Sequence, residues 1–247
     1  GRMDRLGVRH LAVTGPTGAI TGMVTTRNLL RHRASSALVL GDAIDRAETE
    51  PALGQAWAAL PLMARSLLVE DVAPRDVAAV ISAALCALTR RAAELAEVRM
   101  VEAGQGPPPA RYALLVLGSA GRGESLLAAD QDNALVFEDG EPGGATDHWF
   151  EQFATHVAEI LDEVGVPFCK GGVMAKTALW RHSLAGWHAV IDGWVRRQRP
   201  EDILNVDIFF DGLPVHGERA LGDEIWTYAY ARAEKAREFQ ALLTEMS

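Results

Sequence analysis

Residues 117–124, Leu117-Gly118-Ser119-Ala120-Gly121-Arg122-Gly123-Glu124, followed shortly by Asp130-Gln131-Asp132, form the most specific pattern in the chain. Just upstream, Tyr112 to Leu117 is a six-residue apolar run rich in Leu and Val, which suits a buried strand. Gly118 to Glu124 reads as a tight loop, Ser125 to Ala129 as a short helical stretch, and Asp132 to Phe137 as a second strand. A strand thus ends in Gly-Ser, ten residues intervene, and a second strand opens with acids at i and i+2. Strand alternation points Asp130 and Asp132 to one face, with Cα atoms roughly 6 to 7 Å apart. Three familiar glycine loops do not fit. There is no Lys-Ser/Thr ending of a P-loop, the order is G-x-x-G-x-G rather than G-x-G-x-x-G, and Ser119 lacks the glycine two residues earlier that a nucleophile elbow requires.

Two carboxylates on one face can share divalent cations, and phosphoryl-transfer sites use cations about 3.5 to 4 Å apart to clamp the attacking and leaving oxygens. Glycines let backbone N–H groups approach a triphosphate closely, Ser119 can donate a hydroxyl hydrogen bond, and Arg122 can neutralise phosphate charge. A cation pair calls for a third acid. Val206, Ile208 and Phe210 alternate with Asp207, Phe209 and Asp211, which predicts a strand. Asp207 and Asp211 would share its face about 13 Å apart, so only one can reach the cations. Glu124 has two readings, orienting Arg122 or capping the helical stretch that follows. Lys170, beside Gly171-Gly172, is either a phosphate contact or a solvated lysine.

Away from this segment the chain reads as packing. Val77, Val80, Ile81, Ala84, Leu85, Leu88 and Leu95 recur at helical spacing after a Pro74/Asp76 start, and Gly104 to Pro109 ends that helix. Trp149, Phe150, Phe153, Val157, Ile160, Leu161 and Val164 form a second stripe that Gly165 can cap, and Leu184, Trp187, Ile191 and Trp194 form a third. The tryptophans at this spacing are read as core. Leu221 to Met246 is helical. Residues 8 to 13, a Gly15-Pro16-Thr17-Gly18 turn, Ile20 to Val24, and Thr26 to His32 read as strand, turn, strand and short helix.

Composition sets the bounds. The 247 residues carry 24 Lys+Arg against 33 Asp+Glu, a net charge of −9, which argues against a general nucleic-acid binder. The longest apolar run, Ala78 to Leu88, falls short of the roughly 20 residues a bilayer span needs, so no membrane span is expected. Cys86 and Cys169, the only cysteines, give neither a disulfide framework nor a metal knuckle. The seven histidines show no metal-ligand spacing. Gly1-Arg2-Met3-Asp4 has no apolar signal region and looks trimmed, and a cytoplasmic location is expected.

Gly118-Ser119, a spacer of ten and Asp130-Gln131-Asp132 resemble the nucleotidyltransferase superfamily that includes DNA polymerase beta. Within it, the chain is similar to the nucleotidyltransferase domain of bacterial CBS-domain signalling proteins, itself similar to protein-PII uridylyltransferase. Leu117 to Glu124, Asp130 to Asn133, Cys169-Lys170-Gly171-Gly172-Val173-Met174-Ala175, Trp180-Arg181-His182-Ser183, Leu204-Asn205 and Ile208 to Asp211 carry this likeness, across residues 50 to 247. It implies Asp130, Asp132 and Asp211 as catalytic metal ligands, with Gly118, Ser119, Arg122 and Glu124 around the nucleotide. Two departures stand out: Thr177-Ala178 where the family tends to have Asn-Pro, and Leu213 where an Arg commonly follows the third acid. Gly22 to Leu30 resembles the closing strand and helix of a CBS domain.

The resemblance implies an α+β fold, a small mixed sheet carrying the acids and flanked by helices. Residues 1–35 are expected to be a partial CBS-like fragment, 36–110 a helical lead, 111–218 the nucleotidyltransferase core, and 219–247 the start of a C-terminal helical region. The expected activity is Mg²⁺-dependent (or Mn²⁺-dependent) transfer of a nucleoside monophosphate from an NTP to a hydroxyl, with a regulatory protein as acceptor. The alternative is a nucleotide-binding regulatory module without turnover, coupled to CBS sensing.

Overall fold

The computed structural model describes residues 8–25, 39–197 and 199–234. The fold is α+β, as expected. Its centre is a four-stranded mixed sheet built on the Tyr112–Val116 run, which becomes strand β3 and is buried along its whole length. Asn133–Phe137 (β4) and Leu213–Gly217 (β6) flank it, both antiparallel, and Arg181–Ser183 (β5) adds a parallel edge to β4, giving the order β5-β4-β3-β6.

Because successive side chains on a strand alternate between faces, β3 feeds two cores. Tyr112, Leu114 and Val116, with Leu135 and Phe137 of β4, pack against helices α1 (Glu50–Ala58), α2 (Leu60–Val69), α3 (Pro74–Glu102) and α5 (Ala145–Glu163). Ala113, Leu115 and Leu117, with Ala134 and Val136, pack against α6 (Leu184–Arg197), α7 (Pro200–Phe210) and α8 (Arg219–Glu234). Helices on both sides bury every apolar residue of the strand, which is why it reads as a continuous run rather than an alternation.

Helix α3 starts where Pro74 and Asp76 place it, and its stripe Val77, Ile81, Leu85, Leu88, Ala92 and Ala96 is buried. Near its far end Glu97 accepts from Tyr112 Oη at the start of β3, and lies 3.2 Å from His216 Nε2 on β6. Trp187 and Trp194 are core residues. Trp187 is fully buried among Trp180, Trp194 and Phe209, and its Nε1 donates to Leu135 O at 3.0 Å.

Three expectations are corrected. Val206 to Phe210 belongs to helix α7, not to a strand. Pro200 opens this helix, Asp202 accepts from the backbone N–H of Arg199, and Val206 and Phe209, at i and i+3, are the buried pair. The strand comes next, at Leu213–Gly217. Ser125 to Ala129 is not helical; the helical turn is Gly118–Gly121 (α4), where a tight loop was expected. Glu50–Val69 is long and apolar enough to cross a membrane by length and composition, so Ala78 to Leu88 is not the most span-like stretch. It is two helices meeting at Ala59, with Leu53, Ala56, Leu60, Ala64 and Leu67 in the core and Leu62, Leu68 and Val69 exposed.

The amino-terminal strands His10–Thr14 (β1) and Ile20–Thr25 (β2) form an antiparallel hairpin, as the turn residues predict. The short helix expected at Thr26 to His32 and the helix beyond Glu234 lie outside the described residues.

Replacing Trp187 by Ala is expected to lower unfolding free energy by about 3–5 kcal/mol, the range for emptying a buried aromatic site. Equilibrium urea denaturation of both proteins checks this.

Candidate active site

The sheet register brings three segments to one end. Val116 pairs with Asn133 on β4 and with Leu213 on β6, and the N–H of Leu117 donates to Asp132 O at 2.9 Å. The exit of β3 (residues 117–124), the approach to β4 (130–132) and the approach to β6 (211–212) therefore lie side by side.

Burial alternates along the acidic segment. Gln131 and Asn133 are buried, while Asp130 and Asp132 are half-buried and turn to the opposite side. Gln131 Nε2 donates to Ala158 O and Val166 O at 2.9 and 2.8 Å. Asn133 N–H donates to Val173 O, and Asn133 Oδ1 accepts from Ala175 N. The inward residues thus sew the segment to loop 167–177 and hold the two carboxylates outward. The loop is held in turn by buried Arg181, which donates to Asp147 Oδ1 and to the carbonyls of Ala175 and Lys176. Thr177 closes the loop with its own hydroxyl on Gly172 O and Met174 O.

The turn Gly118–Gly121 is packed too tightly for side chains at either end. Gly118 has φ +59, and a Cβ there would lie 2.9 Å from Asp132 Oδ2. A Cβ on Gly121 would overlap the carbonyl oxygen of Asp211. Asp132 and Asp211 therefore lean on the two ends of one helical turn. Ser119 Oγ lies 3.3 Å from Ser125 Oγ, and the Ser125 N–H donates to Ser82 Oγ on α3 at 2.9 Å. Beside these residues is a cavity of about 20 Å³ lined by Ser119, Ser125, Asp130, Gln131 and Asp132, large enough for one water. Buried Gln131 Oε1 has no protein partner there.

Arg122 resolves the two readings of Glu124: its Nε donates to Glu124 Oε2 at 3.0 Å, so Glu124 orients Arg122. Its Nη1 donates to Asp211 Oδ2. Asp211 sits at the C-terminal cap of α7 rather than on a strand. With its carboxylate engaged by Arg122, it does not join Asp130 and Asp132. Among the described residues no three His, Cys, Asp or Glu gather closely enough to hold a metal ion. Lys170 is exposed.

Burial pushes the Asp132 carboxyl above the ordinary carboxylate range and the charge of Asp130 adds to this, while a hydrogen bond from the Cys169 thiol pulls it down. Burial also raises Asp211, against the opposing pull of Arg122. Cys169, Gly121, Ser82 and Arg181 acquire roles the residue pattern alone did not assign. Glycine density pointed to Gly121, whereas nothing in the sequence marks Cys169 as a neighbour of Asp132.

The family described as "Putative nucleotidyltransferase DUF294" matches residues 58–201, more than half of the chain, and the chain belongs to this family. That range contains the glycine turn, Asp130, Asp132 and Arg181, and ends before Asp211. No curated protein matches the chain.

Two outcomes follow from the packing. Gly121→Ala is expected to cost at least about 2 kcal/mol because it meets backbone, whereas Gly123→Ala, at φ +78 with open space, should cost about 1 kcal/mol of backbone strain. Urea denaturation ranks them.

Because the folded-state pKa of Asp132 is raised, its ionisation destabilises the fold as pH climbs past the unfolded value near ~4. Asp132→Asn should therefore be more stable than wild type at pH 7 without divalent cations, and the gap should close below about pH 4. Thermal melts across pH report it.

Proposed function

We propose that this chain is a nucleotidyltransferase that moves a nucleoside monophosphate from an NTP to a hydroxyl acceptor. The observation that carries the reading is the convergence of a glycine turn with an outward-facing acid pair at one end of the sheet. The carboxylate set suits a hard cation, Mg²⁺ or Mn²⁺, which favours oxygen ligands. The bare Gly118 Cα leaves the Asp132 carboxylate room that a Cβ would fill.

In this reading Asp130 and Asp132 hold the cation that accompanies the triphosphate, and Asp211 is the third ligand. Gly118 and Ser119 present hydrogen-bond donors to the phosphates. Arg122, steered by Glu124, offers a guanidinium fork to them. The acceptor oxygen bonds to the α-phosphorus as the bond to the bridging oxygen breaks, pyrophosphate leaves, and the hydroxyl proton passes to solvent. The bound cations would supply positive charge to the α-phosphate, the leaving pyrophosphate and the acceptor oxygen.

Residues 111–218 are proposed as the core of this activity, 36–110 as its helical lead and 219–247 as the start of a C-terminal helical region. Residues 1–35 are proposed as part of a CBS domain, on the likeness of Gly22 to Leu30. Likeness to protein-PII uridylyltransferase makes UTP and a regulatory protein the first donor and acceptor to try.

A second reading is favoured by one observation, the Arg122–Asp211 ion pair: a module that binds nucleotide without turnover. Incubation with each of four α-³²P-labelled NTPs, Mg²⁺ and a lysate of the source cells separates the two. A transferase should label an acceptor, and Asp132→Ala and Asp211→Asn should each lower labelling at least about a hundredfold, since charge stabilisation of several kcal/mol is lost. A non-catalytic module should bind nucleotide without labelling, and Asp211→Asn should leave that binding nearly unchanged.

A further inference from the structure

We propose that Arg122 is a latch on Asp211: it holds the third carboxylate until an incoming triphosphate draws the guanidinium away, so that Asp211 becomes a cation ligand only once nucleotide is bound. The inference rests on the nucleotide-binding reading of this site and adds to it the order in which the site assembles.

The geometry separates a fixed partner from a mobile one. The Asp211 side chain is 14 % exposed and ends helix α7, and its carbonyl is packed on the Cα of Gly121. The Arg122 side chain is 44 % exposed and extends from the turn that begins at Gly118, where the phosphates are placed in this reading. One guanidinium spans two carboxylates, Nε on Glu124 and Nη1 on Asp211. Arg122 can swing, whereas the main chain of Asp211 is packed in place and only its carboxylate is left to turn once released.

The exchange is chemically balanced. A guanidinium fork matches phosphate oxygens bidentately, and a triphosphate carries more charge than the single carboxylate it displaces. Breaking the pair by itself would leave Asp211 partly desolvated and uncompensated, which is costly. A divalent cation arriving with the nucleotide compensates that charge in place of Arg122. In the empty site a cation must compete with Arg122 for Asp211, so only Asp130 and Asp132 are on offer.

The test is a double-mutant cycle on Mn²⁺ affinity, read by electron paramagnetic resonance on the nucleotide-free protein. Arg122→Gln is expected to tighten Mn²⁺ binding about tenfold, and the same substitution in an Asp211→Asn background should change it less than about twofold. Equal tightening in both backgrounds would mean a general charge effect and overturn the latch, as would no tightening at all. Because Arg122 is solvent-facing, Arg122→Gln should remain folded. Arg122→Lys, which keeps the charge but lacks the planar guanidinium fork, is the second variant and should show a smaller gain that also depends on Asp211.

Failure of the latch is distinguishable from failure of the transferase reading. Asp132-dependent labelling with an additive cycle removes the latch alone. A non-additive cycle without labelling keeps the latch and moves it to a binding module.

Discussion

The register of β3 between its two antiparallel neighbours is the constraint on which the site depends. Val116 opposite Asn133 and Leu213 sets the exit of one strand beside the approaches to two others. A slip of one residue would exchange the faces of β3, sending Tyr112, Leu114 and Val116 to the helices that now receive Ala113, Leu115 and Leu117. The two residue sets differ in size and neither core could accept the other without voids or clashes. The packing that makes the fold unique therefore also places the glycine turn against Asp132. The same alignment brings the carbonyl of Asp211 to Gly121.

Much of this was legible because the signals were local. A buried strand, three amphipathic helices and the acid pair each announce themselves within a dozen residues, and the family match over 58–201 agrees with the nucleotidyltransferase resemblance. Misreadings arose where local pattern and tertiary context compete. Val206-Asp207-Ile208 starts an alternation that the apolar Phe209 already breaks, too short a pattern to separate a strand from a helix whose buried pair, Val206 and Phe209, is spaced by three. The true strand, Leu213-Pro214-Val215-His216-Gly217, is a half-buried sheet edge containing a proline, and it carries almost no pattern. Contacts between distant segments had no signature at all. Cys169 at Asp132, Ser82 at Ser125 and Arg122 at Asp211 join residues 37, 43 and 89 positions apart.

Charge is managed unevenly around the site. Arg181 is buried and spends its donors on Asp147 and two carbonyls of loop 167–177, a wholly structural use of a guanidinium. Arg122 is solvent-facing and bridges two carboxylates. One arginine fixes the loop beside the acid pair, while the other can change partners. Asp132 has the Cys169 thiol for a donor and no arginine, which leaves its charge poorly compensated within the folded chain. A carboxylate held in that condition gains from a positive charge brought close to it, and this links the local electrostatics to the chemistry proposed for the site.

Helix α3 grips both ends of β3. Ser82 holds the loop after the glycine turn, and Glu97 holds Tyr112 and His216 at the opposite end of the sheet. The two grips are fifteen residues apart, about 22 Å along the helix axis, enough to reach past both ends of the roughly 17 Å strand they bracket. A splint of this kind removes backbone freedom from the turn at the moment of folding. In the proposed reading, a nucleotide arriving there would order side chains rather than main chain, so its affinity would not be diminished by the conformational entropy that a mobile glycine loop has to surrender.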